Sequence, residues 1–252
     1  LLVYWGGDER GSDFSGPRQD FPICITIASQ CLHAAGVAYA IKFRRQPRAA
    51  VCMLGDGATS KGDFYEGINA AGTWKLPAVF VVTNNQWAIS VPRTSQSAAR
   101  TLAQKALAAG FEGVQVDGND VVAVHHAMRE ALAKARSGGG PTLIEAVTYR
   151  LADHTTADDA SRYRPPEELA EAWKREPVLR LRNYLSEAGV WNRTLEEELL
   201  RQCDEQVQAA AQAYLDTPPP PARQMFDHLY ATLPAAYAAQ RAAVIAAAGE
   251  SA

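Results

Sequence analysis

The sequence lacks an excess of charge of either sign. Its 252 residues include 25 Lys and Arg against 28 Asp and Glu, which leaves a formal net charge of −3. Proteins that bind nucleic acid through the phosphate backbone need a strongly basic surface, so we expect no nucleic-acid partner. With 47% hydrophobic and 21% charged residues, the composition is typical of a globular protein rather than a disordered one.

Long apolar runs and closely spaced cysteines are missing as well. The most apolar stretch, 21–41, is interrupted by Gln30 and His33, whereas a membrane-spanning helix needs about 20 predominantly apolar residues. The first residues contain neither a basic segment nor a small-residue cleavage site. Four dispersed cysteines without a CxxC pair are typical of reduced thiols. We therefore expect no membrane partner and a cytoplasmic location.

Apolar runs alternate with helical patterns through the first 150 residues. Strands without polar alternation are typical of parallel sheets that helices cover on both faces. The fold class is therefore predicted to be α/β, with a parallel sheet flanked by helices. The predicted strands are 49–54, 78–83, 114–116 and 142–148, and the predicted helices are 27–42, 60–74, 102–109 and 121–135.

The chain changes character after residue 150. Residues 151–166 are polar and rich in turn-forming residues, and helical patterns follow at 167–187 and 194–216. We therefore divide the sequence into an α/β core over 1–150, a loop over 151–166 and a C-terminal helical region over 167–252.

Polar residues follow two of the predicted strands at their carboxyl ends. Gly55-Asp56-Gly57 follows the strand at 49–54, and Asn84-Asn85 follows the strand at 78–83. Ligands of open parallel sheets bind beyond these ends, and neighbouring strands lie about 4.8 Å apart. A carboxylate and a carboxamide can therefore share one Mg²⁺, which takes oxygen ligands at about 2.1 Å, phosphate included. The glycines allow close approach of a phosphate, and the helix predicted from 60 offers N–H groups to an anion.

Other phosphate-binding motifs fit this segment less well. A Walker loop ends in Gly-Lys-Ser/Thr, whereas the order here is Ser60-Lys61-Gly62. A dinucleotide-binding GxGxxG motif requires glycine at position 60 and an acidic residue after the following strand, and the sequence has neither. A nucleotide-binding α/β protein is therefore disfavoured, and a plain turn at 55–57 does not account for the asparagine pair at the next strand end.

Several segments together resemble one family. They are GDGATSKGDFYEG at 55–67, NNQWAIS at 84–90, VDGND at 116–120, and the stretch from Tyr149-Arg150 through His154-Thr155 to Ser161-Arg162-Tyr163-Arg164. GDG followed by NN looks like the thiamin-diphosphate motif. From about residue 20 to 235 the sequence resembles the alpha subunit of the heterotetrameric E1 component of 2-oxo-acid dehydrogenase complexes. Within that family it is most like bacterial pyruvate dehydrogenase E1 alpha subunits.

The resemblance implies a site for Mg²⁺ and thiamin diphosphate. Asp56 and Asn85 would bind Mg²⁺ through their side chains, and Trp87 would bind it through its carbonyl oxygen. The other cofactor-binding residues would be Gly55, Gly57 and Ala58 at the diphosphate and, through their backbone, Ile25 and Ile27 at the aminopyrimidine ring.

The resemblance also implies that residues 151–166 form a mobile active-site loop. His154 matches a histidine near the thiazolium ring, where an imidazole can donate or accept a proton and assist acyl transfer. Asp153 precedes it where many relatives have Gly or His. Thr155 stands where animal relatives have a regulatory phosphoserine, but we expect no phosphorylation here. The residues that match the family's loop-ordering set are Arg150, Asp158, Tyr163 and Arg164.

The implied activity is decarboxylation of pyruvate with acetyl transfer to the lipoyl group of the E2 component, in the bacterial cytoplasm. The partners would be an E1 beta subunit in an α2β2 heterotetramer, which supplies the glutamate that activates the cofactor, and the E2 lipoyl domain and acyltransferase core. A branched-chain 2-oxo acid is the alternative substrate, and a non-catalytic scaffold subunit is a further alternative. The family's diphosphate-binding Tyr-Arg pair lies upstream of this region. Because the chain also begins at Leu1 rather than Met, we expect its N-terminal part to be missing.

Overall fold

A computed structural model of the protein describes residues 1–16, 18–227 and 229–249. The helices are α1 (Leu2–Trp5), α2 (Ser29–Phe43), α3 (Gly62–Thr73), α4 (Arg93–Gln96), α5 (Lys105–Ala108), α6 (Val121–Arg136), α7 (Pro166–Trp173), α8 (Pro177–Glu187), α9 (Arg193–Leu215), α10 (Gln224–Asp227) and α11 (Ala238–Ala248). The strands are β1 (Ala50–Gly55), β2 (Ala78–Asn84), β3 (Trp87–Ala88), β4 (Val91–Pro92), β5 (Glu112–Asp117) and β6 (Thr142–Val147). Short 3₁₀ helices occupy Glu9–Ser12, Asp56–Ser60, Ala160–Arg162 and Ala235–Tyr237.

Four parallel strands form the main sheet, in the order β1-β2-β6-β5. Helices α2, α3 and α5 cover one face, where α2 packs on β1 and β2. Phe64 and Ile68 of α3 are fully buried in the apolar cluster that these helices share with the two strands. Helix α6 covers the other face through Ala131 and Ala135. Strands β2 and β6 are buried along most of their length, whereas β1 alternates between buried residues and the exposed Val51 and Met53. The predicted α/β fold class, with its parallel sheet flanked by helices, is confirmed.

Several local features differ from the sequence prediction. The helical pattern at 167–187 is divided into α7 and α8, because Pro177 lacks the N–H that a continuous helix needs and instead begins α8. Glu176 caps that start by accepting hydrogen bonds from the backbone N–H groups of Val178 and Leu179. The segment before α2 contains no predicted element, but the structure has α1 and a 3₁₀ helix there.

The chain forms two compact units. Cys24–Asn192 is one unit and contains the sheet, while Leu1–Ile23 and Arg193–Ala252 together form the other. The division into 1–150, 151–166 and 167–252 stays a prediction, and its last part extends beyond 249, outside the described residues. Among the helices that the structure describes, none is both long enough and apolar enough to cross a membrane.

Candidate functional site

The candidate site lies at the carboxyl ends of the neighbouring strands β1 and β2. These strands run parallel, and Gly55 at the end of β1 pairs with Thr83 near the end of β2. Asp56 follows β1 directly and begins a 3₁₀ helix, while Asn84 ends β2. The structure therefore brings the two polar motifs to one edge of the sheet. The 3₁₀ helix occupies 56–60, so α3 begins at Gly62, slightly later than the pattern predicts.

Asp56 is a buried carboxylate at this edge. Its residue exposure is 3%, and the side chain that donates to it is the neutral amide of Gln96, with Nε2 at 3.3 Å from Oδ2. Burial raises the pKa of the Asp56 carboxyl, whereas hydrogen bonds from backbone groups and Gln96 and the charge of Arg150 act in the opposite direction. Within the described ranges no basic side chain forms an ion pair with it. A buried carboxylate in this condition favours binding of a cation.

The segment after Asp56 lies close to the hairpin of β3 and β4. A Cβ atom placed on Gly57 would be 2.7 Å from Cβ of Ala88, so only glycine fits between the 3₁₀ helix and β3. A Cβ on Gly55 would meet nothing within 4 Å, which leaves open space beside the backbone. Ala58 is buried, and Thr59 Oγ1 donates to the Asp56 carbonyl oxygen at 2.8 Å.

A tight turn orients Asn85 and Trp87. Oδ1 of Asn85 accepts a hydrogen bond from the backbone N–H of Trp87 at 3.0 Å, and Gln86 between them has a φ of 73°. Trp87 is buried and begins β3. The site thus offers a carboxylate, an amide oxygen and a backbone carbonyl from Asp56, Asn85 and Trp87. In the part of the chain that the structure describes, no group of three or more His, Cys, Asp or Glu could hold a metal.

Backbone hydrogen bonds join this turn to the segment that precedes the predicted loop. The carbonyl oxygen of Asn84 accepts from the N–H of Thr148 at 2.8 Å, and that of Asn85 accepts from the N–H of Arg150 at 3.1 Å. The β2–β6 pairing therefore continues past the end of the sheet, and it links Asn85 to the start of 151–166.

The predicted loop-ordering residues form one hydrogen-bond network. Arg150 Nη2 donates to the Tyr163 hydroxyl at 2.6 Å, and that hydroxyl donates to Oδ2 of Asp158. Arg164 donates to the carbonyl oxygens of Arg150, Leu151 and Ala152. The hydrogen bonds from Tyr163 and the His154 N–H lower the pKa of Asp158.

His154 lies in the exposed part of this loop. Its backbone N–H donates to Oδ2 of Asp158 at 2.9 Å, and the neighbouring Thr155 is exposed as well. The preceding Asp153 accepts a hydrogen bond from the N–H of Ala160 at 2.9 Å. The network therefore fixes the backbone at His154 and leaves the imidazole accessible.

Ile25 and Ile27 are not brought into the hydrogen-bonded edge. They precede α2, their exposed fractions are 68% and 56%, and Ala28 after them has a φ of 71°. Within the described residues no hydrogen bond joins either isoleucine to Asp56 or Asn85. Their predicted place at the aminopyrimidine stays a prediction.

Three polar residues around the site were not identified from the sequence. Gln96 contacts Asp56, and Lys105 donates to both oxygens of Thr59 at 2.7 and 3.0 Å. Glu145 accepts a hydrogen bond from Asn84. Of these three residues, only Glu145 could have been noticed in the sequence, because it is the single charged residue in the apolar run of β6.

Comparison with known proteins identifies the family. Residues 6–223 match the profile of the family described as "Dehydrogenase E1 component". The chain is 43% identical over 242 residues to a pyruvate dehydrogenase E1 component subunit alpha of Mycoplasma pneumoniae, covering 96% of this chain and 68% of the relative. It is 45% identical over 234 residues to the Staphylococcus aureus protein of the same name, covering 92% of this chain and 63% of that protein.

A relative with a different name is equally similar. The 3-methyl-2-oxobutanoate dehydrogenase subunit alpha of Mycobacterium tuberculosis is 43% identical over 239 residues, covering 95% of this chain and 65% of that protein. The chain thus spans about two thirds of the length of these relatives. Because the family profile matches most of the chain, the protein belongs to the dehydrogenase E1 component family.

Proposed function

We propose that the protein is the alpha subunit of a thiamin-diphosphate-dependent E1 component that decarboxylates pyruvate and transfers the acetyl group to a lipoyl group of E2. The observation behind this proposal is the meeting of Asp56 and the Asn85 turn at one sheet edge. The similarity to two proteins named pyruvate dehydrogenase E1 component subunit alpha supports it.

The donors at this edge fit Mg²⁺ with a diphosphate. Asp56 and Asn85 would bind the ion through their side chains and Trp87 through its carbonyl oxygen, which leaves coordination positions for phosphate oxygens. Gly55, Gly57 and Ala58 would lie along the diphosphate, and the open space beside Gly55 and the exclusion of a Cβ at Gly57 support this placement.

An unpaired donor near Asp56 also favours an anion. Nη1 of Arg150 is buried and has no hydrogen-bond partner within the described residues, while the charge of Arg150 acts on Asp56. A buried donor without an acceptor costs about 1–3 kcal/mol. A bound oxyanion would remove that cost. Thiamin diphosphate, when bound, supplies the carbanion chemistry of decarboxylation.

His154 would transfer protons within a loop, 151–166, that moves between turnover steps. Its exposed imidazole could donate a proton to, or accept one from, the 2-oxo acid or the acyl group. Arg150, Asp158, Tyr163 and Arg164 would hold the loop in the conformation seen here. Ile25 and Ile27 would contact the aminopyrimidine through their backbone.

The partners would be an E1 beta subunit, in an α2β2 assembly, and the E2 lipoyl domain and acyltransferase core. The beta subunit would contribute the carboxylate that activates the cofactor. We place this assembly in the bacterial cytoplasm, since the relatives named above come from bacteria.

A branched-chain 2-oxo acid is the second candidate substrate. The Mycobacterium tuberculosis relative, named for 3-methyl-2-oxobutanoate, is as similar to this chain as the Mycoplasma pneumoniae relative. Both substrates undergo the same reaction, and small differences in apolar side chains change discrimination by only about 1–3 kcal/mol.

The test is a decarboxylation assay of the chain, with any missing N-terminal segment restored, in complex with its beta subunit. Pyruvate and 3-methyl-2-oxobutanoate would be compared, each with and without Mg²⁺ and thiamin diphosphate. We expect cofactor-dependent turnover that favours pyruvate. Preference for the branched acid would establish the second candidate, and a well-formed complex without turnover of either would contradict the proposed activity.

A further inference from the structure

Glu145 is a fully buried carboxyl group in the middle of the sheet. Its exposure is 0%, and it lies on β6 between Val82 of β2 and Gln115 of β5. The neighbouring β6 residues are apolar or small. Burying an acidic residue at such a position destabilises the fold unless hydrogen-bond donors surround it. The partners of Glu145 therefore indicate its role.

Three donors from separate elements meet at this carboxyl group. Nδ2 of Asn84 donates to Oε1 at 2.7 Å. Oε2 accepts from the backbone N–H of Ala103 at 3.0 Å and from Nε2 of Gln115 at 3.1 Å. The donors thus come from the end of β2, from the segment before α5 and from β5. Each oxygen of Glu145 accepts at least one hydrogen bond, and the partner of Oε1 is Asn84.

Asn84 is held from both ends of its side chain. It is 2% exposed, and while Nδ2 donates to Glu145, Oδ1 accepts from the backbone N–H of Gln86 at 3.3 Å. Its carbonyl oxygen accepts from the N–H of Thr148. The residue immediately before Asn85 therefore has a fixed side chain and a fixed backbone, and this fixes the start of the turn that orients Asn85.

We propose that Glu145 is a positioning residue that holds Asn84, and through it the side-chain oxygen of Asn85, in place for Mg²⁺. The inference rests on the proposed function of the Asp56–Asn85 edge. Mg²⁺ requires nearly ideal octahedral geometry at about 2.1 Å, so a small displacement of one oxygen weakens binding. Partners of metal ligands commonly contribute 10- to 100-fold to metal affinity.

Glu145→Gln removes one acceptor while keeping the volume of the side chain. The amide of glutamine presents one oxygen, and because two donors face the Oε2 side while one faces the Oε1 side, that oxygen takes the side of Ala103 and Gln115. Its NH₂ group then faces Nδ2 of Asn84, and the hydrogen bond to Asn84 is lost. Asn84→Ala removes the same hydrogen bond from the other end and provides a second variant if Glu145→Gln does not fold.

The matched control is Gln115→Met. This change removes a different donor from the same carboxyl group at nearly constant volume, and it leaves the contact between Glu145 and Asn84 in place. A purely structural role of Glu145 predicts the same result for Glu145→Gln and Gln115→Met. A positioning role predicts that the two variants differ in Mg²⁺ affinity.

The experiment measures thiamin diphosphate binding by calorimetry as Mg²⁺ is varied, on the chain with any missing N-terminal segment restored and in complex with its beta subunit. Melting temperature and assembly are recorded in parallel. We expect Glu145→Gln and Asn84→Ala to raise the half-saturating Mg²⁺ concentration about tenfold, and the double variant to add little because both remove one hydrogen bond. We expect Gln115→Met to stay within about twofold of the unaltered chain, since it leaves the hydrogen bond between Glu145 and Asn84 in place.

Two results would overturn the inference in distinguishable ways. An equal Mg²⁺ requirement for Glu145→Gln and Gln115→Met, with the unaltered complex still dependent on Mg²⁺, would leave Glu145 a structural residue only. An unaltered complex that binds thiamin diphosphate without any Mg²⁺ dependence would instead contradict the proposed metal site, and the role of Glu145 would fail with it.

Discussion

Asp56 is the residue on which the candidate metal site most depends. Its carboxylate is buried, and the contacting side chain is a neutral amide. We expect Asp56→Ala to reduce Mg²⁺-dependent thiamin diphosphate binding by more than the 10- to 100-fold typical of outer partners, since it removes a direct ligand. Calorimetric titration of the complex with the beta subunit would measure this. Burial raises the pKa of this carboxyl, so its charged form destabilises the fold when no cation is bound. In the absence of Mg²⁺ and cofactor, we therefore expect the variant to melt no earlier than the unaltered chain.

Asp204→Ala is the control for loss of one negative charge. Asp204 is exposed on α9, so its removal should leave cofactor binding unchanged. Normal Mg²⁺-dependent binding by Asp56→Ala would contradict the assignment of Asp56 as a ligand.

His154 is expected to affect group transfer rather than cofactor binding. Its imidazole is exposed, and its backbone is held by Asp158. A general acid or base contributes about 10²–10⁴-fold to rate, so His154→Ala should lower acyl transfer to a lipoyl acceptor within that range at unchanged cofactor affinity. His125→Ala, at an exposed histidine of α6, is the matched control. Transfer at the unaltered rate in the His154 variant would remove this residue from the mechanism.

The four cysteines should differ sharply in reactivity. Cys31 and Cys52 are buried with their sulfur atoms 3.8 Å apart, and the neighbouring thiol together with burial raises the pKa of Cys52. Cys24 and Cys203 are exposed. A hydrogen bond from the Ser29 hydroxyl lowers the pKa of Cys24. Because the thiolate is the reactive form, we expect Cys24 to react first.

A thiol-specific disulfide reagent would test this order. Cys24 and Cys203 should react in the folded chain, with Cys31 and Cys52 added only after unfolding, and Cys24→Ser should remove the fastest phase. Rapid reaction of all four thiols in the folded chain would show that α2 and β1 do not enclose the buried pair.

At the scale of elements, the contact between the 3₁₀ helix and β3 tolerates no added atom. Gly57→Ala would place a Cβ 2.7 Å from Cβ of Ala88, so the β3–β4 hairpin would have to move. Overpacking of this kind costs about 1–3 kcal/mol, and it would displace the carbonyl of the adjacent Trp87. We expect a lower melting temperature and a higher Mg²⁺ requirement for cofactor binding.

Gly36→Ala is the matched control for this substitution. Gly36 is exposed within α2, and an added Cβ would meet nothing within 4 Å. The change should stabilise the chain by about 0.5–1 kcal/mol because alanine loses less backbone entropy in a helix. Equal melting temperatures for the two variants would show that the space beside Gly57 is larger than the structure gives.

The elements that the sequence predicts well are those in which one physical cause dominates. The apolar runs of β2 and β6 are buried along most of their length, whereas that of β1 is buried at alternate residues. All three runs match the predicted strands within a residue or two. The β3–β4 hairpin is too short for any periodicity and turns at Ile89, a β-branched residue with a φ of 55°. Such a conformation is rarely favoured locally and depends on tertiary packing.

The candidate site shows the same contrast. Asp56 and Asn85 could be placed together because both follow parallel strands, and the strand order confirms that those ends are adjacent. Gln96 and Lys105 could not be placed, since their contacts with Asp56 and Thr59 depend on how α4 and α5 return to the sheet edge. The spacing of residues along the sequence does not predict such long-range contacts.

At the scale of the whole molecule, the two compact units differ in how much they bury. The unit Cys24–Asn192 contains both apolar clusters of the sheet. In the other unit, α9 has no buried residue along its 23 positions, and its apolar side chains Leu199, Leu200 and Val207 are exposed. Its ion pairs, such as Arg201 with Glu198 and Glu205, are exposed, and exposed pairs at this spacing contribute only about 0.3–0.5 kcal/mol each.

Hydrogen exchange of the isolated chain should therefore separate α9 from β2. An amide exchanges when its hydrogen bond opens, and opening is inexpensive where little apolar surface is buried. We expect the α9 amides to exchange orders of magnitude faster than those of β2, which lies between β1 and β6 and is buried along most of its length. Mass spectrometry of peptides from the two elements within one sample provides the comparison, with β2 as the internal reference. Slow exchange of α9 at the rate of β2 would contradict the exposure of this helix, because protection of that size requires its apolar side chains to be covered in solution.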